Sequence, residues 1–401
     1  MIETNFKHTD IGLIPHDWEV KSLDSLFAFY AGGDIQKEYF SMTPQENKRY
    51  PIYSNSLENK GLYGYTSHPR YEANSITITG RGSLGHAEFR NHKFDAIVRL
   101  LVLQPKELVS GEFVTNTINF YMPFVFESTG VPQLTVPQTA KALIPLPPTL
   151  AEQEKIANAL SKIDQLINDL GALIEKKKAI KQGTMQDLLT AKRRLKGFTG
   201  KWEEARLCDL GLIIRGVSFK PEQASVDYKN GYICLLRSNN IENARINYEN
   251  IIYVDSACVN EHQFMRHDDI LICAANGSRN LVGKAGRKID DRLNTFGAFM
   301  CVFRCKDAKN APFVSFLLQS SSYFKQLDEI LSGSAINNLN AKQFENMVFL
   351  TPPTLAEQNA IANILSSMDT EITNLEQKRD KYIAIKQGMM QNLLTGKIRL
   401  I

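Results

Sequence analysis

A 49-residue segment occurs twice in this chain, and its two copies align without a gap. Residues 147–195 are identical to residues 352–400 at 29 of 49 positions, with an offset of 205. Both copies open with "PPTLAEQ", and they close with "AIKQGTMQDLLTAKRRL" and "AIKQGMMQNLLTGKIRL". Because a repeat of this length folds the same way each time, the chain must contain two copies of one structural unit.

Each copy has the sequence pattern of a long helix with a sharp start. Two prolines precede a Thr that is followed three residues later by Glu, as Thr149 and Glu152 and again as Thr354 and Glu357. This spacing predicts a capping box, in which the Thr hydroxyl accepts from a first-turn amide and the Glu reaches back to the cap amide. A helix of about 40 residues would be roughly 60 Å long.

Apolar residues recur in both helices at alternating steps of four and three, which predicts the seam of a coiled coil. The predicted seam residues are Ile156, Leu160, Ile163, Ile167, Leu170, Ile174, Ile361, Leu365, Met368, Ile372 and Leu375. Gly183 and Gly388 also recur inside the helical pattern, where glycine costs about 1 kcal/mol relative to alanine. Either a close backbone approach at a paired site or a local kink would account for them.

The remaining parts of the chain also repeat, although less closely. The two copies start at Trp18 and Trp202, and "SNSLEN" at 54–59 matches "SNNIEN" at 238–243. Further along, the Gly-Ser pair at 82–83 matches the pair at 277–278 with a larger offset. The second copy has therefore gained residues, as expected for loops that grow on a common framework.

Short apolar runs bounded by turn residues fill both variable halves, for example "SITIT" (75–79) and "DILICAA" (269–275). Such runs predict strands, so we expect an α+β fold with an irregular mixed sheet in each half. The predicted domains are a globular domain at 1–146, a coiled-coil helix at 147–195, a second globular domain at 196–351, and a C-terminal coiled-coil helix at 352–401.

Composition narrows the class of protein without naming a function. The formal net charge of +4 permits nucleic-acid binding but does not argue strongly for it. The six cysteines form no Cys-x-x-Cys pair and are expected to be buried thiols in a reducing compartment. The N-terminal residues do not resemble a secretion signal, and no run of 18 apolar residues occurs. We expect a cytoplasmic protein without membrane contact.

Motifs that would carry catalysis are weak or incomplete. "GRGSLG" (80–85) fits a dinucleotide-binding pattern, but a strand-like run and not a helix follows it. A Gly-Ser turn that presents amides to a phosphate explains it better. The two "PPT" runs lack the polar and aromatic residues with which adenine methyltransferases hold a flipped base. No P-loop and no histidine spacing for a metal occurs, and Asp227-Tyr228-Lys229 is only a minimal nuclease-like triplet.

Two variable halves that alternate with two near-identical helices resemble the specificity subunit of a type I restriction–modification system. The resemblance extends from about Ile11 to Leu400 and is strongest in the helix repeats. It implies that the globular halves are target-recognition domains, each reading one part of a split, asymmetric DNA sequence. It also implies that the helices form an antiparallel coiled coil that separates them.

The same resemblance implies the partners. Two methyltransferase subunits dock on the scaffold and methylate adenine at N6 with S-adenosylmethionine. Restriction subunits that use ATP and Mg²⁺ join them in some systems. The chain itself would carry no cofactor and no catalytic site. Two other interpretations stay open on the residues alone: a single-chain DNA-modifying or DNA-cleaving enzyme with an unrecognised active site, and a coiled-coil scaffold that binds no DNA.

Comparison of the two copies separates the candidate DNA contacts into two groups. Residues shared by both halves should contact phosphates or shape turns, since two halves that read different bases would not share base readers. This group contains Ser54, Asn55, Gly82, Ser83, Ser238, Asn239 and Ser278. For the Asn pair, an Asx-type turn without DNA contact is an equal alternative.

Residues that differ near these anchors are the better candidates for base readers, because Arg and Lys suit guanine and Asn suits adenine. They are Arg81, His86, Arg90, Lys93, Arg237, Asn276, Arg279, Asn280 and Lys284. Ser218 and Lys220, in the segment "RGVSFKPEQ" (215–223), complete the predicted DNA-binding set.

The segment "IGLIPHDW" (11–18) resembles "KGFTGKW" (196–202), which continues the first helix into the second globular half. We therefore expect the end of the second helix to lie near the start of the first globular half.

Overall fold

The computed structural model describes residues 5–122, 124, 133–332 and 337–401. It contains two compact units, one formed by Met1–Gly171 with Gln377–Ile401 and the other by Ala172–Glu376. The boundaries between the units fall inside the two long helices, so each unit contains part of both.

The first half of the chain ends with the first long helix. Its strands are β1 (Phe6–Thr9), β2 (Gly12–Pro15), β3 (Glu19–Ser22), β4 (Phe27–Ala31), β5 (Phe40–Ser41), β6 (Tyr50–Tyr53), β7 (Leu62–Thr66), β8 (Ser75–Ile78), β9 (Ala87–Arg90), β10 (Asp95–Ala96), β11 (Leu101–Pro105) and β12 (Leu143–Leu146). Its helices are α1 (Leu23–Leu26), α2 (Gly111–Tyr121), α3 (Val136–Ala140) and α4 (Leu150–Leu189).

The second half follows the same sequence of elements with additions. Its strands are β13 (Glu203–Arg206), β14 (Gly211–Arg215), β15 (Ala224–Ser225), β16 (Tyr232–Leu236), β17 (Ile241–Glu242), β18 (Arg245–Ile246), β19 (Ile252–Asp255), β20 (Ile270–Cys273), β21 (Ala285–Arg287), β22 (Asn294–Phe296), β23 (Met300–Cys305) and β24 (Val348–Thr351). Its helices are α5 (Leu207–Leu210), α6 (Ala311–Leu317), α7 (Ser321–Ser332), α8 (Ala341–Glu345) and α9 (Leu355–Leu393).

The two units repeat one sheet plan. The first unit has sheets of order β4-β11-β8-β9 and β10-β6-β7-β5, and the second has β14-β23-β20-β21 and β22-β16-β19-β15 in the same positions. Strand β10 runs parallel to β6, and β22 runs parallel to β16, while the other pairs in these four-strand orders are antiparallel. The predicted α+β class with mixed sheets and an internal repeat is confirmed.

The extra residues of the second copy build a small addition to one sheet. Strands β17 and β18 form a hairpin that begins within "SNNIEN" (238–243), after which the offset between the copies increases. Arg245 of β18 pairs in parallel with Arg287 of β21, so the hairpin extends the edge of the sheet. The loop has grown on a common framework, as the sequence predicted.

The long helices start as predicted, but only half of each capping box is present. The hydroxyl oxygens of Thr149 and Thr354 each accept from the amide three residues later at 3.3 Å. The predicted return contact from the glutamate to the cap amide is wrong. The carboxylate of Glu152 instead accepts from Arg399, because a charge-assisted bidentate pair with Arg is stronger than a bond to a neutral amide.

The equivalent carboxylate in the second unit, that of Glu357, accepts from both Nε and a terminal nitrogen of Arg194 at 2.8 Å. It also accepts from Nε1 of Trp202 at 3.1 Å. Each unit therefore contains an Arg–Glu pair with a buried carboxylate. In both units the Arg follows one long helix while the Glu opens the other.

Both helices end before the predicted limits of 195 and 401. Helix α4 is 40 residues long and α9 is 39 residues long. Shortly after α4, Ala191 adopts the left-handed conformation with a φ of 56°, and shortly after α9, Gly396 does so with a φ of 68°. A left-handed residue at this point turns the chain away from the helix axis.

The helices run antiparallel within each unit. In the first unit, Asp164 pairs with Lys386 at 2.7 Å, while the earlier residue Glu152 pairs with the later residue Arg399. In the second unit, Lys181 pairs with Asp369 at 2.6 Å, and the same inverse order holds for other pairs. The predicted antiparallel packing of the helix pair is confirmed.

The predicted seam divides into buried and partly buried positions. The buried ones are Ile156, Leu160, Ile163, Leu170, Ile174, Ile361, Leu365 and Ile372. The partly buried ones are Ile167, Met368 and Leu375. The first residues of each seam belong to a globular core, since Ile156 and Leu160 pack in the core that contains Trp18.

The end of the second helix packs against the start of the first globular half, as expected. Leu393 and Leu394 lie in the same core as Ile14 and Trp18. Arg399 also pairs with Asp17 at 2.7 Å, and its hydrogen bond lowers the pKa of the Asp17 carboxyl.

The two recurrent helix glycines are not explained by contacts in the described residues. Gly183 and Gly388 lie inside continuous helices. A methyl group added at either position would meet nothing within 4 Å among the described atoms. A close backbone approach within the unit is therefore excluded as their cause.

Candidate nucleic-acid interface

Three loops meet in the first unit, and the side chain of Asn55 joins them. Its Oδ1 accepts from the amide of Gly80 at 2.8 Å, and its Nδ2 donates to the carbonyl of Val98 at 2.7 Å. We call the turn 54–55, the loop 80–85 and the turn 98–99 the loop cluster of the first unit. Two of these loops contain predicted DNA contacts.

The second unit contains an equivalent loop cluster, formed by 237–240, 275–284 and 298–299. Asn276 donates to the Ser238 hydroxyl at 3.2 Å, and the carbonyl of Phe299 accepts from the amides of Ala274 and Ala275 at 2.9 and 3.0 Å. A cleft of about 1080 Å³ opens beside this cluster, and Arg237, Asn276 and Phe299 line it. The same three connections thus converge in both units.

Most predicted contacts are accessible in the first unit. Arg81, Gly82, Ser83 and Lys93 are exposed, and His86 is half-buried. His86 contacts Glu88 at 3.1 Å, and Lys93 pairs with Glu72 at 3.0 Å.

Arg90 lies in the interior, which disagrees with a base-reading role. Its side chain is 4% exposed, and its guanidinium carbon lies 3.5 Å from the centre of the Tyr53 ring. It donates to the hydroxyl of Thr77 and to the carbonyl of Lys60. Arg90 therefore links neighbouring segments inside the unit, and we exclude it from the interface.

The hydrogen bonds of Asn55 are long-range, to Gly80 and Val98, and are not those of the Asx-type turn given as the alternative. Both ends of its amide are used by backbone groups of the other two loops. Its counterpart Asn239 is exposed. We therefore assign Asn55 to loop positioning, while the phosphate contact of Asn239 stays a prediction.

In the second unit, the predicted residues differ in how firmly the fold holds them. Arg237, Ser218, Lys220, Ser278 and Asn280 are exposed, whereas Ser238, Asn276 and Lys284 are half-buried. Arg279 is exposed but bonded to Asp328 and Ser332. DNA binding through Arg279 would first have to break those contacts.

Sequence reasoning missed the turns 98–99 and 298–299. Their residues have no recognisable pattern, because "VR" and "AF" share no identity. A signal was available in the repeat, since the strands that follow these turns, β11 and β23, are equivalent and place residues 99 and 299 in register.

Burial raises the pKa of several cysteine thiols in the second unit. Burial raises the pKa of Cys273 to about 11 and that of Cys301 to about 12. Burial also raises the pKa of Cys234 to about 11. Since the thiolate is the nucleophilic form, the raised pKa disfavours reaction at these three groups. Of the six cysteines expected to be buried, Cys273 and Cys301 are buried, whereas the other four are only partly buried: Cys208, Cys234, Cys258 and Cys305.

The nuclease-like triplet shows no catalytic geometry. Asp227, Tyr228 and Lys229 are all exposed, and the Lys229 ammonium lies 5.4 Å from the Tyr232 ring centre. Within the described ranges, no group of three or more His, Cys, Asp or Glu side chains is arranged to hold a metal ion. In the same part of the chain, no helix has the length and apolar character needed to cross a membrane.

The model of the type I restriction modification DNA specificity domain family matches residues 15–182 and 199–384. Because the two matches together span most of the chain, it belongs to that family. Its class is thus that of the type I restriction–modification specificity proteins.

Curated relatives agree with this assignment. The chain is 25% identical to the MjaVIII specificity subunit of Methanocaldococcus jannaschii over 99% of this chain and 97% of that protein. It is 29% identical to the EcoKI specificity subunit of Escherichia coli over 49% of this chain. That second alignment spans 42% of the EcoKI subunit's length.

Solved structures share the fold. The S subunit of a type I system from M. genitalium superposes with a TM-score of 0.64 at 17% identity, covering 94% of this chain and 96% of that one. A chain from a study of complex assembly in the type I system superposes with a TM-score of 0.54 at 16% identity, covering 96% and 99%.

Proposed function

We propose that this chain reads a bipartite, asymmetric DNA site, with one half-site bound by each loop cluster. One observation carries this proposal: the loop cluster occurs twice on a common framework, and the two copies expose different side chains. Arg81 and His86 in the first unit are replaced by Asn276, Arg279 and Asn280 around the equivalent loop of the second. Two copies of one frame with different polar residues suit two different base sequences.

The residues that both units share then have a positional role. Gly82-Ser83 and Ser278 lie exposed on the loops, and Ser238 joins its loop to the neighbouring one. Exposed amides and hydroxyls of this kind contact phosphates, which fix register without reading sequence.

The duplicated helices provide two equivalent surfaces for two methyltransferase subunits. These partners bind S-adenosylmethionine and methylate adenine at N6, while restriction subunits with ATP and Mg²⁺ join the complex where they are present. The chain contributes DNA recognition and assembly, with 1–146 and 196–351 as target-recognition domains and with α4 (Leu150–Leu189) and α9 (Leu355–Leu393) as the coiled-coil helices.

The direct test compares the purified chain with its complex. The chain alone, and then the chain with the methyltransferase subunits of its host, is incubated with S-adenosylmethionine, Mg²⁺ and genomic DNA, and methylated adenines are mapped. We expect methylation only with the complex, in a motif of two half-sites and a nonspecific spacer. Methylation or cleavage by the chain alone would favour the single-chain enzyme. If neither the chain nor the complex binds DNA, the chain is a simple scaffold.

A second prediction concerns the spacer. Inserting Ala-Leu-Ile-Glu after Glu175 would lengthen α4 by about 6 Å and continue the seam with a stutter. Since duplex DNA rises about 3.4 Å per base pair, we expect the same half-sites with a spacer longer by one or two base pairs, measured by mapping methylated adenines.

The matched control inserts the same four residues after Gly231, an exposed turn in the second unit with a φ of 82°. This control should leave the spacer unchanged. An unchanged spacer in the helix variant at full activity would show that the helices do not set the spacing, and altered half-sites would show that recognition depends on it.

A further inference from the structure

The turns 98–99 and 298–299 occupy one position in the repeated framework. Ile97 forms a parallel bridge with Gly33, and Gly297 forms the equivalent bridge with Val217. In each unit the turn then leads into a central strand of the sheet, β11 or β23. The two residues at the second turn position are Arg99 and Phe299, which differ completely in chemistry.

The first turn adopts an unfavourable backbone that the surrounding loops hold in place. Val98 and Arg99 have φ values of 55° and 56°, which β-branched and bulky residues rarely adopt. The amides of Val98 and Arg99 donate to the carbonyls of Gly33 and Gly32 at 3.0 and 2.9 Å, and Asn55 holds the Val98 carbonyl. Such over-determined strain is typical of functional sites.

Arg99 is displayed by this fixed turn on the surface of the first unit. The residue is exposed, and its side chain makes no hydrogen bond to any described residue. Arg81, on the neighbouring loop of the cluster, is exposed in the same way. A guanidinium on a rigid base is suited to bidentate pairing with O6 and N7 of guanine in the major groove.

Phe299 is displayed by an equally well-fixed turn. The amide of Met300 closes the turn onto the Gly297 carbonyl at 2.8 Å, and two amides bind the Phe299 carbonyl. The phenyl side chain is nevertheless 73% exposed. It lines the cleft together with Arg237 and Asn276. An apolar ring therefore lies beside two side chains that can hydrogen-bond to DNA bases.

We infer that Arg99 and Phe299 are specificity-determining residues of the two half-sites, Arg99 pairing with a guanine and Phe299 packing on the 5-methyl group of a thymine. This inference rests on the proposed function. The same framework position then selects a G·C pair in one half-site and a T·A pair in the other. The T·A pair is selected because apolar side chains contact the methyl group of thymine.

The first experiment uses the complete chain with its methyltransferase subunits and a duplex library randomised across both half-sites. Arg99→Ala and Phe299→Ala should each lose preference at one base pair of their own half-site. We expect a loss of about 5- to 160-fold for Arg99→Ala, which removes a bidentate pair, and of about 4-fold for Phe299→Ala, which removes the contact with one methyl group. The other half-site should be unaffected. The controls are Lys141→Ala, which removes a charge from the first unit outside the loop cluster, and Phe324→Ala, whose ring lines a different cavity of the second unit.

The second experiment removes the matching group from the DNA. The affected guanine is replaced by 7-deazaguanine, which lacks N7, and the affected thymine by deoxyuridine, which lacks the methyl group. Each modification should weaken binding of the unmodified complex and have no further effect on the corresponding variant, Arg99→Ala or Phe299→Ala.

Three outcomes separate the failure of this inference from the failure of the proposed function. If the complex selects a bipartite site and both variants keep its full preference, the inference is wrong while the proposed function stands. If a variant loses preference but remains as sensitive to its modified base as the unmodified protein, the assigned contact is wrong. If the complex selects no bipartite site, the proposed function itself fails.

Discussion

Replacing Arg399 by Met should lower the free energy of unfolding of the first unit by about 3–5 kcal/mol. The side chains of Arg399 and Glu152 are only 9% and 2% exposed, and they meet at 2.6 Å. Without the guanidinium, the Glu152 carboxylate stays buried and unpaired. Removal of one partner from a buried pair is costly for this reason, although the intact pair itself contributes little net stability.

The measurement is denaturant unfolding combined with hydrogen exchange of the first unit. Arg379→Met is the matched control, since Arg379 lies on α9 in the same unit and, among the described residues, pairs with its exposed neighbour Asp380. We expect the control to change stability by at most about 1 kcal/mol. The double variant Arg399→Met with Glu152→Gln should recover part of the loss, because no charge is then left unpaired.

Equal stability of the Arg399→Met and Arg379→Met proteins would contradict this account.

The same substitution at Arg194 tests the second unit, where Trp202 also donates to the central carboxylate. In the first unit, Nε1 of Trp18 has no partner among the described residues. Glu357 therefore retains one hydrogen bond after loss of its Arg, and we expect a smaller effect of Arg194→Met.

The second large effect is expected from charges placed in the helix seam. Ile163 and Ile372 are 6% and 7% exposed, so aspartate at either position would bury an unpaired carboxylate at a cost on the order of 3 kcal/mol or more. The double variant Ile163→Asp with Ile372→Asp should lose adenine methylation at both half-sites together, because both proposed docking surfaces depend on the helix pair.

Mapping of methylated adenines measures this loss. The control places the same charges on the exposed faces of the same helices, as Ser161→Asp with Thr370→Asp, and should preserve methylation. Loss at one half-site alone would contradict a shared scaffold, and wild-type methylation in the seam variant would show that the helix pair is not needed for assembly.

The sequence was most informative where one local rule decides the structure. The Pro-Pro-Thr start predicted each helix to within a few residues, because proline cannot continue a helix backwards and the Thr hydroxyl caps it. The four-three spacing likewise predicted the buried faces of both helices. In the sheets, comparison of two copies located the common framework and the point at which the second copy gained residues.

Long-range partners were not available from the sequence. The pattern predicted that Glu152 caps its own helix, but an arginine 247 residues away takes its carboxylate. Arg90 looked like a base reader because its residue type suits guanine, and only strand orientation shows that it faces the Tyr53 ring. Asn55 looked like a phosphate contact, and only the meeting of three loops shows what its amide holds.

By itself, the sequence determined that this protein is built from two copies of one unit, each a globular half followed by a long helix. It also showed the coiled-coil seam, and that the two globular halves share a framework but differ in their polar residues. Periodicity and repetition are local properties of the chain, so they can be seen before folding. The tertiary structure alone decided which polar side chains are used inside the protein and which are left free. That choice depends on segments distant in sequence meeting in space, as they do where Gly32, Gly33 and Asn55 fix the turn that displays Arg99.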